Sequence, residues 1–318
     1  MSQRESKFLK SLIWMTFCEC DNLRWTQDWD LHSHTVNSDG MHDEKTVAEM
    51  MKSAGVKYWS LTDHDTTSGW IKAAKHCSKI GINFIPGIEI TCKPDIAPQE
   101  DFKQKMGLQN AKTSWHLLAY FPIECLANGT IAEIEKWLAP FKENRVERMK
   151  SMLERLREFG HDISLDEVRS YATDTIGRPH LAKAMVAAGI VETADEAFET
   201  WIGDGKPAHV ENEQPTISDA VLMVNQYGGI TSLAHPKNYA VPTEVLLKSL
   251  KESGVDAVEA FHSSHSDVYR HELLCEARLQ GLSVTTGSDF HGTEHNSRSG
   301  KSLVPLSDLH PFFQAFVL

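Results

Sequence analysis

The strongest constraint on this chain is a series of apolar segments that each end in metal-ligating side chains. The first is Trp29-Asp30-Leu31-His32-Ser33-His34-Thr35, with Ser38-Asp39-Gly40 just behind it. Alternate side chains of an extended strand share a face, so His32 and His34 can reach one cation. Asp39 follows in the loop beyond, in reach of the same cation or a neighbour. A single His-x-His pair is ordinarily a surface or core pair. Here the pattern recurs. Asp63-His64-Asp65 ends a second apolar run, Glu89 a third and His116 a fourth; His235 follows Leu233-Ala234, and Asp289-Phe290-His291 closes the series. Ligand types gathered at strand ends are how barrel-like α/β enzymes build their sites.

Helical patterns separate the first runs. Asp43 to Met51 opens with acidic residues, which favour a helix N-terminus. Val47, Met50, Met51 and Ala54 form its buried stripe, and Gly55 ends it. Val56 to Leu61 is then a strand, Ser68 to Ile80 a helix ended by Gly81, and Ile82 to Thr91 a strand broken by Pro86-Gly87. This β-α-β-α alternation predicts a mainly parallel sheet. Cys92 to Ser114 reads as a long polar loop beside the site, and Trp115 to Tyr120 resumes the sheet. From about Ile131 to Val210 the pattern is helical only. Glu143 to Phe159 places Val146, Met149, Leu153 and Leu156 on one face, with Arg145, Arg148, Arg155 and Arg157 among its polar positions. Ser164 to Glu167 is a capping box, and Pro179 fits the first turn of a helix ending at Gly189. Strands return at Ile230 to Ala234, Ala257 to Phe261 and Leu282 to Thr286. The organisation expected is an N-terminal extension (1–24), a first barrel part (25–130), a helical insert over the barrel mouth (131–215) and a second barrel part (216–318).

The formal net charge of −12 argues against a general DNA-binding or nucleic-acid-coating surface. It leaves room for an anionic substrate, because two or three bound divalent cations reverse the local field. No apolar run is long enough to span a membrane. Phe8 to Phe17 has a faint signal-peptide look, but it is short and Cys18-Glu19-Cys20-Asp21 is a poor cleavage site. We therefore read an N-terminal extension. The six cysteines contain no Cys-x-x-Cys pair, as expected of reduced, structural thiols in a cytoplasmic protein.

Five stretches carry a family resemblance: Asp30-Leu31-His32-Ser33-His34, Thr62-Asp63-His64-Asp65, Pro86-Gly87-Ile88-Glu89-Ile90, Ala234-His235-Pro236 and Gly287-Ser288-Asp289-Phe290-His291. In this order they resemble the successive motifs of the PHP (polymerase and histidinol phosphatase) family, from about Trp29 to the C-terminus. The resemblance implies a distorted (β/α)7 barrel with a helical insert. It implies a metal-dependent phosphoesterase in which His32, His34, Glu89 and Asp289 hold one ion, Asp39, His64 and His291 a second, and Glu89, His116 and His235 a third. Imidazole and carboxylate ligands without cysteine suit Mn foremost, or Zn or Fe. Attack by a metal-bridged hydroxide needs no serine or cysteine nucleophile, with Asp289, Glu89 and His64 as the catalytic groups. The loop from Lys93 to Ser114 is longer than the family's usual link, a departure that bears on the pocket's shape.

Arg178, in Thr175-Ile176-Gly177-Arg178-Pro179-His180, is the candidate for binding a second phosphate, since a guanidinium grips phosphate bidentately. A Gly-Arg-Pro-His stretch in such an insert resembles the branch acting on nucleoside 3′,5′-bisphosphates and on the 5′ ends of short RNA. His180, His262 and His265 are further candidates for substrate contact. His42, His76, His161, His209, His271, His295 and His310 read as solvated. Tyr171 and Trp201 are candidates for stacking on a base. The runner-up is a phosphatase for a non-nucleotide monoester, with histidinol phosphate as the family precedent. A C–N hydrolase is more distant, because no motif supplies the lysine bridge that metal amidohydrolases often use. A non-catalytic metal-binding module would need lost ligands, and every matched position carries a competent side chain.

Overall fold

Each apolar run becomes a strand of one seven-stranded sheet in the computed structural model, which describes residues 24–97, 101, 102, 104, 114–292 and 304–316. The strands lie side by side in chain order: β1 (Trp29–Asp30), β2 (Tyr58–Leu61), β3 (Asn83–Cys92), β4 (Trp115–Tyr120), β5 (Ile230–Leu233), β6 (Ala257–His262) and β7 (Ser283–Gly287). The two edges meet. Leu31 N–H donates to the Thr286 carbonyl at 3.0 Å, and Ser33 bridges Phe290 in parallel, so the sheet nearly closes into a barrel. The helices α1 (Glu44–Ser53) and α2 (Trp70–Ile80) follow β1 and β2. Asp43 caps α1 by accepting from Thr46 N–H, and Gly81 ends α2 in the left-handed conformation.

Two local expectations change. The strand from Asn83 to Cys92 is unbroken at Pro86-Gly87. Gly87 is there for space: a Cβ would lie 2.2 Å from Ser60 Oγ, while the Gly87 carbonyl accepts the Trp70 indole N–H at 2.7 Å. Parallel pairing also fails at β4, which runs antiparallel to both β3 and β5. Cys92 pairs with Trp115, so the chain re-enters the sheet at the end where β3 finished. His116, at the beginning of β4, thereby joins ligands that stand at the finishing ends of other strands.

The reversal at β4 also returns the chain to the opposite end of the barrel. From there α3 (Thr130–Glu158) climbs the flank; its 29 residues span roughly 44 Å. Ile134 and Leu138 on its lower part pack into the barrel core. Met149, Met152, Leu153 and Leu156 on its upper part belong to a second apolar core. That core also takes residues from α4 (Leu165–Arg169), α5 (Arg178–Ala187) and α6 (Ala194–Ala197). Polar contacts tie this helical region to the barrel mouth. Glu135 accepts from Thr67 N–H (2.7 Å), Thr175 N–H donates to the Asn37 carbonyl (3.1 Å), and Asp174 accepts from Thr66, from Ser68 (2.6 Å) and from Lys142 (3.1 Å). The chain then returns through α7 (Ile217–Gln226), α8 (Thr243–Glu252) and α9 (Asp267–Gln280), with α10 (Pro311–Gln314) near the C-terminus.

Among the described residues no helix is long and apolar enough to cross a membrane. The Phe8–Phe17 segment, Cys18, Cys20, His295 and most of the 93–114 loop lie outside the described residues.

Candidate metal centre and active site

The geometry of the centre starts from Ser33. Its hydroxyl donates to the Ser60 carbonyl (3.1 Å) and accepts the Trp59 indole N–H (2.7 Å), while its carbonyl accepts from Thr62 N–H (2.9 Å). With Ser33 pinned toward β2, His32 and His34 turn to the barrel interior. Asp63 organises the next loop by accepting from Thr35 N–H (2.7 Å), Thr35 Oγ1 (2.6 Å) and Ser38 Oγ (2.6 Å). That loop carries Asp39 back over the barrel mouth.

Glu89 is the hub. Its Oε2 lies 3.4 Å from His32 Nε2, 3.1 Å from His34 Nε2 and 3.1 Å from His64 Nδ1. Its Oε1 lies 2.8 Å from His116 Nδ1 and 3.0 Å from His235 Nε2. Asp289 Oδ1 is 3.3 Å from both His32 Nε2 and His34 Nε2, and His291 Nε2 is 3.2 Å from Asp39 Oδ1. All nine expected ligand residues are thus brought together. Among the described residues four groups have donor atoms within 4.8 Å of one another: His32, His34, Glu89 and Asp289; His34, Asp39, His64 and His291; His64, Glu89 and His116; and His32, Glu259 and His262. In the second group His34 stands beside the expected trio, and in the third His64 takes the place expected for His235. Asp65, His235 and Asp289 all adopt positive φ, a conformation uncommon outside glycine that gathers at functional sites.

This donor set fits divalent ions. His32 Nε2, His34 Nε2, Asp39 Oδ1, His64 Nδ1 and Glu89 Oε2 are buried without hydrogen-bond partners and converge on shared space. Buried polar atoms left so are costly unless something satisfies them. Burial opposes the charge on Glu89, yet His64, His116 and His32 around it hold its carboxyl well below the usual range. Burial pushes the His64 imidazole down to about 3 in spite of Glu89 and Asp39, whereas at His34 burial is outweighed by Asp289 and Glu89, which raise it to about 10, so metal binding at this cluster would release protons.

Above the cluster opens a cleft of about 210 Å³. His64, Glu89, His116, His235, Asp289 and His291 line its floor, and Arg145, Arg148, Gly177, Arg178 and His180 line its wall. Arg145 forks onto Asp65 through Nε (2.8 Å) and Nη2 and reaches Thr91 Oγ1 (2.7 Å). Arg148 donates from Nε to the Val210 carbonyl (2.6 Å). Arg178 opens α5, pairs with Asp204 (2.5 Å) and lies 5.7 Å from the centre of the Phe198 ring. Burial, then Arg178 and Arg145, push the Arg148 pKa down to about 9. Three guanidinium groups thus face one cleft, two of them paired with carboxylates.

The remaining sequence candidates divide. His180 lines the cleft, its Nδ1 accepting from Gly177 N–H at 3.0 Å. His262 stands beside the cluster, Nε2 3.6 Å from Asp289 Oδ2. His265 turns away: its Nδ1 donates to the Ala260 carbonyl (3.0 Å) and its ring meets Tyr269, so it walls no part of the cleft. Neither Tyr171 nor Trp201 borders the cleft; Trp201 packs on Phe159 and His161. His209, expected to be solvated, sits 3.5 Å from Asp204 beside Arg178. Sequence reading missed Arg145 and Arg148 as cleft residues. They sit three residues apart on one helical face, a signal that ordinary surface arginines share. It also missed Glu259, a fully buried carboxylate 2.9 Å from His32 Nδ1.

Comparison with known proteins agrees with this architecture. Residues 30–165 match the PHP domain model. The chain is 26% identical over 294 residues to a 5′-3′ exoribonuclease of Haemophilus influenzae, covering 92% of this chain and 100% of that protein. It is 26% identical over 287 residues to a 3′,5′-nucleoside bisphosphate phosphatase of Chromobacterium violaceum, covering 89% and 92%. Among solved structures, one described as a metal-dependent phosphoesterase of Bifidobacterium adolescentis superposes with a TM-score of 0.74 at 30% identity, over 90% of this chain and 95% of that one. An amidohydrolase of Chromobacterium violaceum, solved with bound sulfate and no metal, superposes with a TM-score of 0.76 at 25% identity, over 91% and 96%. A nearly closed barrel with its strands in chain order, its ligand types converging on Glu89, and relatives matched over nearly their whole length lead to one assignment: the chain belongs to the PHP family and is a metal-dependent phosphoesterase.

Proposed function

We propose that the chain hydrolyses a phosphate ester of a small nucleotide, either a nucleoside 3′,5′-bisphosphate or the 5′ end of a short RNA. The observation that carries this reading is that Arg145, Arg148 and Arg178 line the same cleft as Glu89, His116, Asp289 and His291. A simple monoester needs only the floor. A cationic wall beside it suits a substrate with a second phosphate, and guanidinium is the side chain best matched to phosphate geometry. The names of the Haemophilus and Chromobacterium relatives support the same class.

In this reading residues 131–215 are the substrate cap and Arg178, His180 and the neighbouring arginines hold the non-reacting phosphate. His32, His34, Glu89 and Asp289 hold one divalent ion, Asp39, His64 and His291 a second, and Glu89, His116 and His235 a third, with manganese the preferred metal and zinc or iron compatible. The ions supply a lowered water pKa and neutralise the phosphoryl oxygens. Asp289, on the cleft floor, accepts the proton of the attacking water, and His262 beside it relays that proton outward. Glu89 and His64 fix the geometry around the scissile ester. The buried thiols of Cys77, Cys92 and Cys125 fit a reducing, cytoplasmic setting.

The test is phosphate release by the Mn-reconstituted protein from adenosine 3′,5′-bisphosphate, a 5′-phosphorylated short RNA, AMP and histidinol phosphate. Preference for the bisphosphate or RNA supports the reading. Turnover of simple monoesters alone would discard the second-phosphate site.

A further inference from the structure

Glu259 lies inside β6 with no exposed surface. Both of its oxygens are committed. Oε1 lies 2.9 Å from His32 Nδ1, and Oε2 accepts the His235 N–H at 2.8 Å. The pairing of β6 with β7 slips between Glu259 and Phe261, and such bulges re-aim side chains. Here the slip lets Glu259 and His262, three residues apart, both face the cluster. Gly287 provides the room. A Cβ there would lie 2.3 Å from His32 Cβ and 2.6 Å from Glu259 Oε1, so no side chain is tolerated at that position.

An ionised carboxylate only accepts hydrogen bonds, so the proton of a neutral His32 belongs on Nδ1. The lone pair is then on Nε2, the atom that is buried without a hydrogen-bond partner and stands 3.4 Å from Glu89 Oε2 and 3.3 Å from Asp289 Oδ1. Through its second oxygen the same carboxylate holds the backbone of His235, which adopts φ 30°. One side chain thus orients two members of the cluster, one beyond β1 and one beyond β5.

We propose that Glu259 is the positioning residue of this centre: it keeps His32 in the Nδ1–H form with Nε2 facing the ions, and it pins the left-handed turn at His235. The inference rests on the reading of His32 and His235 as ligands. Glu259 also lies within reach of His32 and His262 as a possible ligand in its own right. The positioning role is favoured because each oxygen already meets one nitrogen, and Oε1 meets Nδ1, the ring nitrogen of His32 that does not face Glu89 and Asp289.

Titration of the metal-free protein with Mn²⁺ by calorimetry, wild type against Glu259→Gln, tests it. Glutamine keeps the size but offers one acceptor where two N–H donors point. The expected result is a loss of Mn²⁺ affinity of about 10–100-fold, the range typical of such supporting groups. The number of ions bound at saturation should be unchanged, and activity should recover as Mn²⁺ is raised. Unchanged affinity would overturn the proposal. A saturated variant holding one ion fewer would also overturn it and make Glu259 a ligand. A wild type that takes up no ion would instead overturn the cluster reading itself. Long-range ¹H–¹⁵N NMR of the Zn²⁺-loaded wild type stands apart from whether the variant folds. The His32 proton should be on Nδ1, and a proton on Nε2 contradicts the proposal.

Discussion

The floor of the cleft is made of histidines and carboxylates at strand ends; its wall is made of arginines on helices. The floor is held by the barrel itself, through the Ser33 bonds to β2, the Asp63 loop and the paired oxygens of Glu259. The wall is held by ion pairs between residues distant in sequence, Arg145 with Asp65 and Arg178 with Asp204. The difference separates two jobs. The floor gathers the ligand types for ester cleavage, while the wall presents guanidinium groups to the same cleft.

Removing the hub should hit the floor hardest. Glu89→Ala is expected to lower kcat by about 1,000-fold or more, on the scale of losing a principal charge-stabilising group. Metal content, read by elemental analysis, should fall with it. Normal turnover by that variant would refute the floor as drawn.

Arg145→Ala comes next, read as stability. It leaves Asp65 buried without its partner, and breaking a buried pair costs about 3–5 kcal/mol. Chemical denaturation should show the loss. A loss below about 1 kcal/mol would mean the pair behaves like a surface one, and the wall is less firmly tied to the barrel.

Arg178→Ala separates wall from floor. KM for adenosine 3′,5′-bisphosphate should rise about 10- to 100-fold, equivalent to roughly 1.4–2.8 kcal/mol, while hydrolysis of a small chromogenic phosphate stays near wild type. Equal losses on both substrates would argue against a phosphate clamp.

The smallest effect concerns the tie at Asp174. Burial opposes its charge, but hydrogen bonds from Ser68 and Thr66 with Lys142 alongside outweigh that and hold its carboxyl below the ordinary value. A depressed acid adds stability that is complete above its unfolded pKa of about 3.9 and is lost as pH falls through the lower folded value. Wild type and Asp174→Asn should therefore differ in unfolding midpoint near neutrality and begin to converge as pH falls below about 4. A gap that persists in acid would mean the carboxylate's charge is not what matters.

The same division explains what was legible beforehand. Strand alternation puts His32 and His34 on one face, and ligand types recurring beside apolar runs point to Glu89 and His116, but their grouping around ions followed from the family resemblance alone. The antiparallel turn at β4 was not visible, because periodicity marks a strand without its direction. Pro86-Gly87 read as a break because local propensity cannot see that Ser60 and Trp70 demand a glycine there. Arg145 and Arg148 looked like a solvated stripe, since only the barrel that α3 climbs past turns that face inward. His265 follows a strand as His262 does, yet its bond to Ala260 turns it away. Glu259 lacked any motif; its role depends on a bulge and on the space left by Gly287.

The most direct measurement compares kcat/KM for adenosine 3′,5′-bisphosphate with that for adenosine 3′-monophosphate, in the wild type and in Arg178→Ala. Both substrates carry the same 3′ ester, and only the second phosphate differs. The account predicts a strong wild-type preference for the bisphosphate that collapses toward parity in the variant. Equal wild-type values, or a preference untouched by the substitution, would contradict a wall that reads a second phosphate.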